Sequence, residues 1–156
     1  MQGDSVFALA LLIGFVAGLR SFTAPAAVSW AAHLGWLDLD GSVFAFMGST
    51  AAVIIFSVAA TAELAADLHP ATPNRTSAGP LLARVILGGL SGAALTVANE
   101  RSLLAGALLG GAGGLVGAFS GYQARTRLTA ALKKGKLIAV LEDLITIVLA
   151  VAIVSR

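Results

Sequence analysis

The segment Leu137-Ile138-Ala139-Val140-Leu141-Glu142-Asp143-Leu144-Ile145-Thr146-Ile147-Val148-Leu149-Ala150-Val151-Ala152-Ile153-Val154 decides the class of fold. Its only polar side chains are Glu142, Asp143 and Thr146, and its length approaches the roughly 20 residues a helix needs to cross a bilayer core. Immediately before it, Gln123 to Lys136 carries Arg125, Arg127, Lys133, Lys134 and Lys136 and no acid. An apolar run beside a basic segment reads as a membrane span with its cytoplasmic flank, because Lys and Arg resist translocation.

The rest of the chain agrees. Of 156 residues, 58% are hydrophobic and 12% charged, and the mean hydropathy is +0.92. Ten Lys and Arg with eight Asp and Glu cannot coat the surface of a soluble domain of this size. The chain has no Cys, which excludes a disulfide framework, a Cys-ligated metal and c-type haem attachment. A net charge of +2, with the basic residues gathered in one stretch, gives no sign of nucleic-acid binding.

Working outward, apolar runs separated by polar breaks predict an all-α membrane bundle of about five spans, near 5–22, 43–63, 80–98, 103–122 and 137–154. Segments 24–37 and 123–136 read as interfacial, the first because it mixes Trp30, His33 and Trp36. The break at Arg20-Ser21-Phe22-Thr23-Ala24-Pro25 is marked by a charge, two hydroxyls and a proline. The whole is one integral-membrane domain, with the N-terminus and segment 123–136 expected on the cytoplasmic side of a bacterial inner membrane. Met1 to Asp4 lacks the basic start of a signal peptide.

Sliding the chain by 99 positions pairs Gly14 with Gly113, Gly18 with Gly117 and Ser21 with Ser120. With one span between two copies, the second would be inverted, a 2+1+2 layout with broken helices of the kind found in transporters. The alternative is chance likeness among Ala/Gly-rich helices.

Two sets of residues carry physical meaning. Gly14, Gly18, Gly88, Gly92, Gly106, Gly110, Gly114, Gly117 and Gly121 recur at spacings of three and four, which lets helix backbones approach closely. Arg20, Glu63, Asp67, Arg75, Arg84, Glu142 and Asp143 are charges at or near membrane depth, where an unpaired charge is costly. They read either as ion pairs pinning helices or as a polar vestibule for cations or protons. His33 and His69 have no ligand-spaced partner, so no metal is expected. Arg125, Arg127, Lys133, Lys134 and Lys136 suit anionic lipid headgroups. No nucleophile triad, zinc helix or nucleotide fingerprint occurs, so neither enzyme activity nor a cofactor is expected.

The run Glu63-Leu64-Ala65-Ala66-Asp67 to Pro70-Ala71-Thr72-Pro73-Asn74-Arg75-Thr76, continuing to Ala83-Arg84 and Gly88, resembles a family of small bacterial integral-membrane proteins classed as a domain of unknown function. Gly18-Leu19-Arg20, Gly117 to Tyr122 and Leu141-Glu142-Asp143 fit the same resemblance, which covers nearly the whole chain. The sequence departs from that pattern at Leu68-His69, where the family more often has Lys. The resemblance implies a helical inner-membrane protein and no particular substrate. The function expected is a small-solute or ion transporter or channel, assembled as a homo-oligomer with a dimer favoured. The alternative is a non-transporting scaffold or assembly partner, and the third reading is an enzyme acting on lipid.

Overall fold

The computed structural model describes residues 3–66, 77–132 and 135–156. Asp67, His69, Arg75, Lys133 and Lys134 lie outside the described residues, and of Lys136 only the backbone is described. Among the described residues every regular element is helical: α1 (Gly3–Leu19), α2 (Thr23–His33), a 3-10 turn (Ala45–Gly48), α3 (Thr50–Ala66), α4 (Ala78–Ala98), α5 (Leu103–Leu132) and α6 (Gly135–Val154). Three segments are long and apolar enough to cross a membrane, Ala78–Ala98, Leu103–Ala131 and Leu137–Val154; Ser5–Leu19 and Thr50–Ala66 are shorter apolar helices.

Glycines set the central packing. A methyl group added at Gly88 would lie 2.7 Å from the Gly110 carbonyl oxygen, and one at Gly92 would lie 2.9 Å from Gly110 Cα and 3.2 Å from the Ala10 carbonyl oxygen. One at Gly117 would lie 3.0 Å from Gly18 Cα. The backbones of α1, α4 and α5 therefore touch directly. Burial gives little drive between helices in lipid, so such contacts act through dispersion between close backbones. Gly14, Gly106, Gly113 and Gly114 make equally close approaches, and Gly121 is buried on the same helix.

The contacts also fix direction. Gly88 opposes Gly14 and Gly92 opposes Ala10, so α4 runs antiparallel to α1. Gly89 meets Ala107 while Gly114 meets Arg84, so α5 runs antiparallel to α4. It follows that α5 runs parallel to α1, with Gly14 against Gly113 and Gly18 against Gly117. Residues 99 apart thus sit side by side on helices of the same direction, which corrects the expected inverted relation. The expected second break is also absent: α5 continues through Ser120 to Leu132. Between Leu103 and Leu132 there is no proline to interrupt the helix.

The first break is real and turns the chain back. α2 starts at Thr23 with Pro25 in its first turn, where a missing N–H costs nothing. It then runs antiparallel to α3, as shown by Trp30 Nε1 donating to Ser57 Oγ at 3.0 Å and His33 Nδ1 lying 2.9 Å from the Gly48 carbonyl oxygen. Ala24, Val28, Ser29 and Ala31 are buried, and α2 packs on α4 and α6. It is thus a half-length helix packed into the bundle along most of its length. Its small side chains permit that depth. Leu37, Leu39, Phe44 and Met47 complete the core beneath it. The helix expected from residue 43 begins only at Thr50, after the 3-10 turn.

Successive helices α1 to α6 therefore alternate in direction, and Ser5 and Arg156 line one groove. The start of α1 and the end of α6 share one end of the bundle. The C-terminal part of α5, with Arg125 and Arg127, projects from the other. The expectation that the N-terminus and segment 123–136 share a side is corrected by α2, which adds one reversal that the sequence pattern does not reveal.

Gly88→Ala should lower stability in detergent by about 1–3 kcal/mol through overpacking against backbone. Gly79→Ala, where a methyl meets nothing within 4 Å, should leave it unchanged or slightly raised. Thermal unfolding of the two variants checks this, and equal midpoints would contradict the close approach.

Candidate functional site

The interruption of a helix inside apolar surroundings exposes backbone groups that neither water nor the next turn can satisfy. Between Leu19 and Thr23 both kinds of orphan arise, carbonyls ending α1 and N–H groups opening α2. The N-cap position of α2 is Phe22, which offers no capping side chain. The cap comes from α3. Glu63 accepts the Ser21 N–H at 2.9 Å through Oε1 and the Phe22 N–H at 3.0 Å through Oε2. A carboxylate there also faces the positive end of the α2 dipole.

The other orphan is served from α4. Arg84 Nε donates to the Gly18 carbonyl oxygen at 2.9 Å, and Nη1 to the Pro80 carbonyl oxygen at 3.3 Å. Arg84 Nη2 lies 3.7 Å from Glu63 Oε1, so the two capping groups are themselves an ion pair. Arg84 is 4% exposed. Its stem is sheltered by the same bundle that would otherwise repel its charge, and the fork geometry of guanidinium suits several acceptors at once.

Arg20, inside the break and 1% exposed, pairs through Nη2 with Asp143 Oδ1 of α6. In sequence Arg20 stands apart from the acids; the structure joins it to α6. The neighbouring Glu142 reaches Arg125 of α5, Nη1 to Oε2 at 3.9 Å. Its backbone carbonyl accepts from the buried Thr146 hydroxyl at 2.6 Å. Arg125 thus joins the charged layer, while Arg127 is exposed.

Of the charges singled out in the sequence, Arg20, Glu63, Arg84, Glu142 and Asp143 converge at one level of the bundle. With Arg125 they form three pairs that link the helix break to α3, α4 and α6 and tie α5 to α6. The capping roles of Glu63 and Arg84 were legible only indirectly. Pro25 marks a new first turn, and a new first turn needs an acceptor from somewhere. The geometry satisfies backbone ends and fixes helix positions.

The family model described as a domain of unknown function, DUF4126, matches residues 7–155. The chain belongs to the DUF4126 family. No curated protein and no solved structure matches it. The match spans the break, the three ion pairs and all of the glycine contacts, so the charged layer lies within the family's domain.

Truncating one member of a buried pair leaves the other charge stranded, typically costing about 3–5 kcal/mol. Asp143→Ala and Arg20→Ala should each be strongly destabilising, and the double variant should cost clearly less than their sum. Glu63→Gln with Arg84→Gln should behave likewise. Additive losses in denaturant titrations would show that the pairs are not coupled.

Proposed function

We propose that this DUF4126 protein is a polytopic inner-membrane assembly or scaffold protein, whose intramembrane charges act as latches. One observation carries the reading. In broken-helix transporters the freed helix ends are offered to substrate or coupling ion, whereas here Glu63 holds the opening of α2 and Arg84 the end of α1. The ligand positions are filled by the protein's own side chains.

The alternating helices support six crossings, with α2 and residues 34–49 together making the second. The end bearing Arg125 and Arg127 then faces the cytoplasm, because positive charge stays inside. The start of α1 and the end of α6 face the opposite side. Without native Cys, single cysteines report this directly. Ser155→Cys should react with an impermeant maleimide on intact spheroplasts, and Arg127→Cys only after permeabilisation. The reverse pattern would invert the orientation, and labelling at both from outside would contradict spanning by α5.

The second reading is a small-solute or ion carrier, favoured by the placement of the Glu63–Arg84 pair at a helix break. In it the latch is a gate, and Glu63 yields its two N–H groups to a competing anion. Reconstitution decides between them. The scaffold reading expects no flux of protons, alkali cations or small anions above that of empty liposomes. Flux that Glu63→Gln abolishes while folding is retained would overturn it in favour of the carrier.

A further inference from the structure

A groove of about 340 Å³ runs between α2, α3 and α6. Its floor is alanine from all three helices: Ala26, Ala27 and Ala31, then Ala60, then Ala150. Trp30 and Trp36 stand at the end away from the charged layer, and Thr23, Thr61 and Leu64 at the end beside it. The polar groups along its α3 wall are already engaged: Ser57 Oγ accepts from Trp30 and Thr61 Oγ1 donates to the Ser57 carbonyl oxygen at 2.8 Å. An occupant therefore meets hydrocarbon.

Its width identifies what fits. From Thr23 to Leu34 the α2 axis advances about 16 Å. The open space along that length, about 900 Å³ out to the groove walls and mouth, gives a mean cross-section of roughly 55 Å², short of the roughly 80–110 Å² of a helix 10–12 Å across. A methylene chain fits; a helix from a second copy does not, and a slit this narrow falls far short of the area per partner that a stable dimer buries, about 800 Å². The groove also opens onto the face carrying the exposed Ile54 and Val58 of α3 and Val148 and Val151 of α6. That face is continuous with the lipid boundary.

We infer that the groove between α2, α3 and α6 is a resident binding site for one acyl chain of a membrane lipid, entered from the end that carries Trp30 and Trp36. The indoles sit where amphipathic rings favour the interface, so the ester region of the lipid lies at their level and the chain points toward the charged layer. Bound there, the chain fills a gap on the flank of α2 that the small side chains leave. It completes the packing of the half-length helix against α3 and α6. The inference does not depend on whether the protein is a scaffold or a carrier.

Trp30 and Trp36 are the chain's two tryptophans, so intrinsic fluorescence reads the groove alone. The wild-type protein is reconstituted in phosphatidylcholine with an increasing fraction of chain-brominated phosphatidylcholine, whose bromine quenches indole on contact. A resident chain gives quenching that lags exchange or saturates, departing at least about twofold from proportionality at low brominated fraction. Ala27→Leu and Ala60→Leu, filling the groove from opposite walls, should each restore simple proportionality while thermal unfolding stays cooperative. Proportional quenching in the wild type would overturn the inference and leave ordinary boundary lipid. So would a departure that both filled variants retain, or efficient Ser57→Cys disulfide formation between two chains, which would place a second copy on the groove. Should both variants fail to fold, the wild-type curve still decides.

Discussion

A helix that stops inside an apolar bundle must hand its backbone ends to something, and that requirement organises this structure. The break at residues 20–22 leaves donors and acceptors that cost about 1–3 kcal/mol each if buried and unsatisfied. Glu63 and Arg84 meet them from two different helices. The positions of α3 and α4 relative to the break are therefore set by hydrogen-bond distance, a tighter constraint than apolar contact. Arg20 extends the same arrangement to α6 through Asp143.

The two kinds of contact divide the labour. α1, α4 and α5 form a unit in which backbone meets backbone at the glycines, and such packing tolerates almost no substitution because the opposing atoms cannot move aside. α3 buries only Ala52 and Val53 and exposes Ile54, Ile55 and Val58; α6 sets Ala150, Ile153 and Val154 into the core and exposes Leu144, Ile145 and Val148. The placement of α3, above all, relies on the charged layer. Directional pairs suit that role in lipid, where apolar surface alone does not discriminate a neighbouring helix from a lipid tail.

Much of this was legible in the residues. Apolar length marks the helices, glycine spacing points to the contact faces, and charge at depth singles out Arg20, Glu63, Arg84, Glu142 and Asp143 from the sequence alone. Direction was not legible. α2 is too short and too polar to read as a crossing, and its return into the bundle depends on Glu63, forty residues away in sequence terms. The repeat offset of 99 was visible, but its parallel sense follows from which glycines touch. The helix boundary expected near residue 122 failed for a simpler reason. Basic residues mark where water begins, yet Arg and Lys are good helix formers and need not end a helix.

The occupied helix ends also bound what any carrier activity would require. To open the site, a ligand must replace Glu63 at two backbone N–H groups or Arg84 at the Gly18 carbonyl, and leave the displaced partner satisfied. If stranding one member of that pair costs about 3–5 kcal/mol, an unaided open state would be populated at roughly 1 in 10² to 1 in 10⁴. A ligand lifts that population only by binding the open form better than the closed one by a comparable free energy. An anion with hydrogen-bond acceptors could take over the α2 amides, where the helix dipole already favours negative charge. A bare alkali cation offers those N–H groups nothing; its route is the other one, taking the Gly18 carbonyl from Arg84 as cations do at the C-terminal ends of broken helices. The chemistry of the break therefore admits release by substitution to an anion at the α2 amides or to a cation at the Gly18 carbonyl, and in each case the displaced side chain must find a new partner.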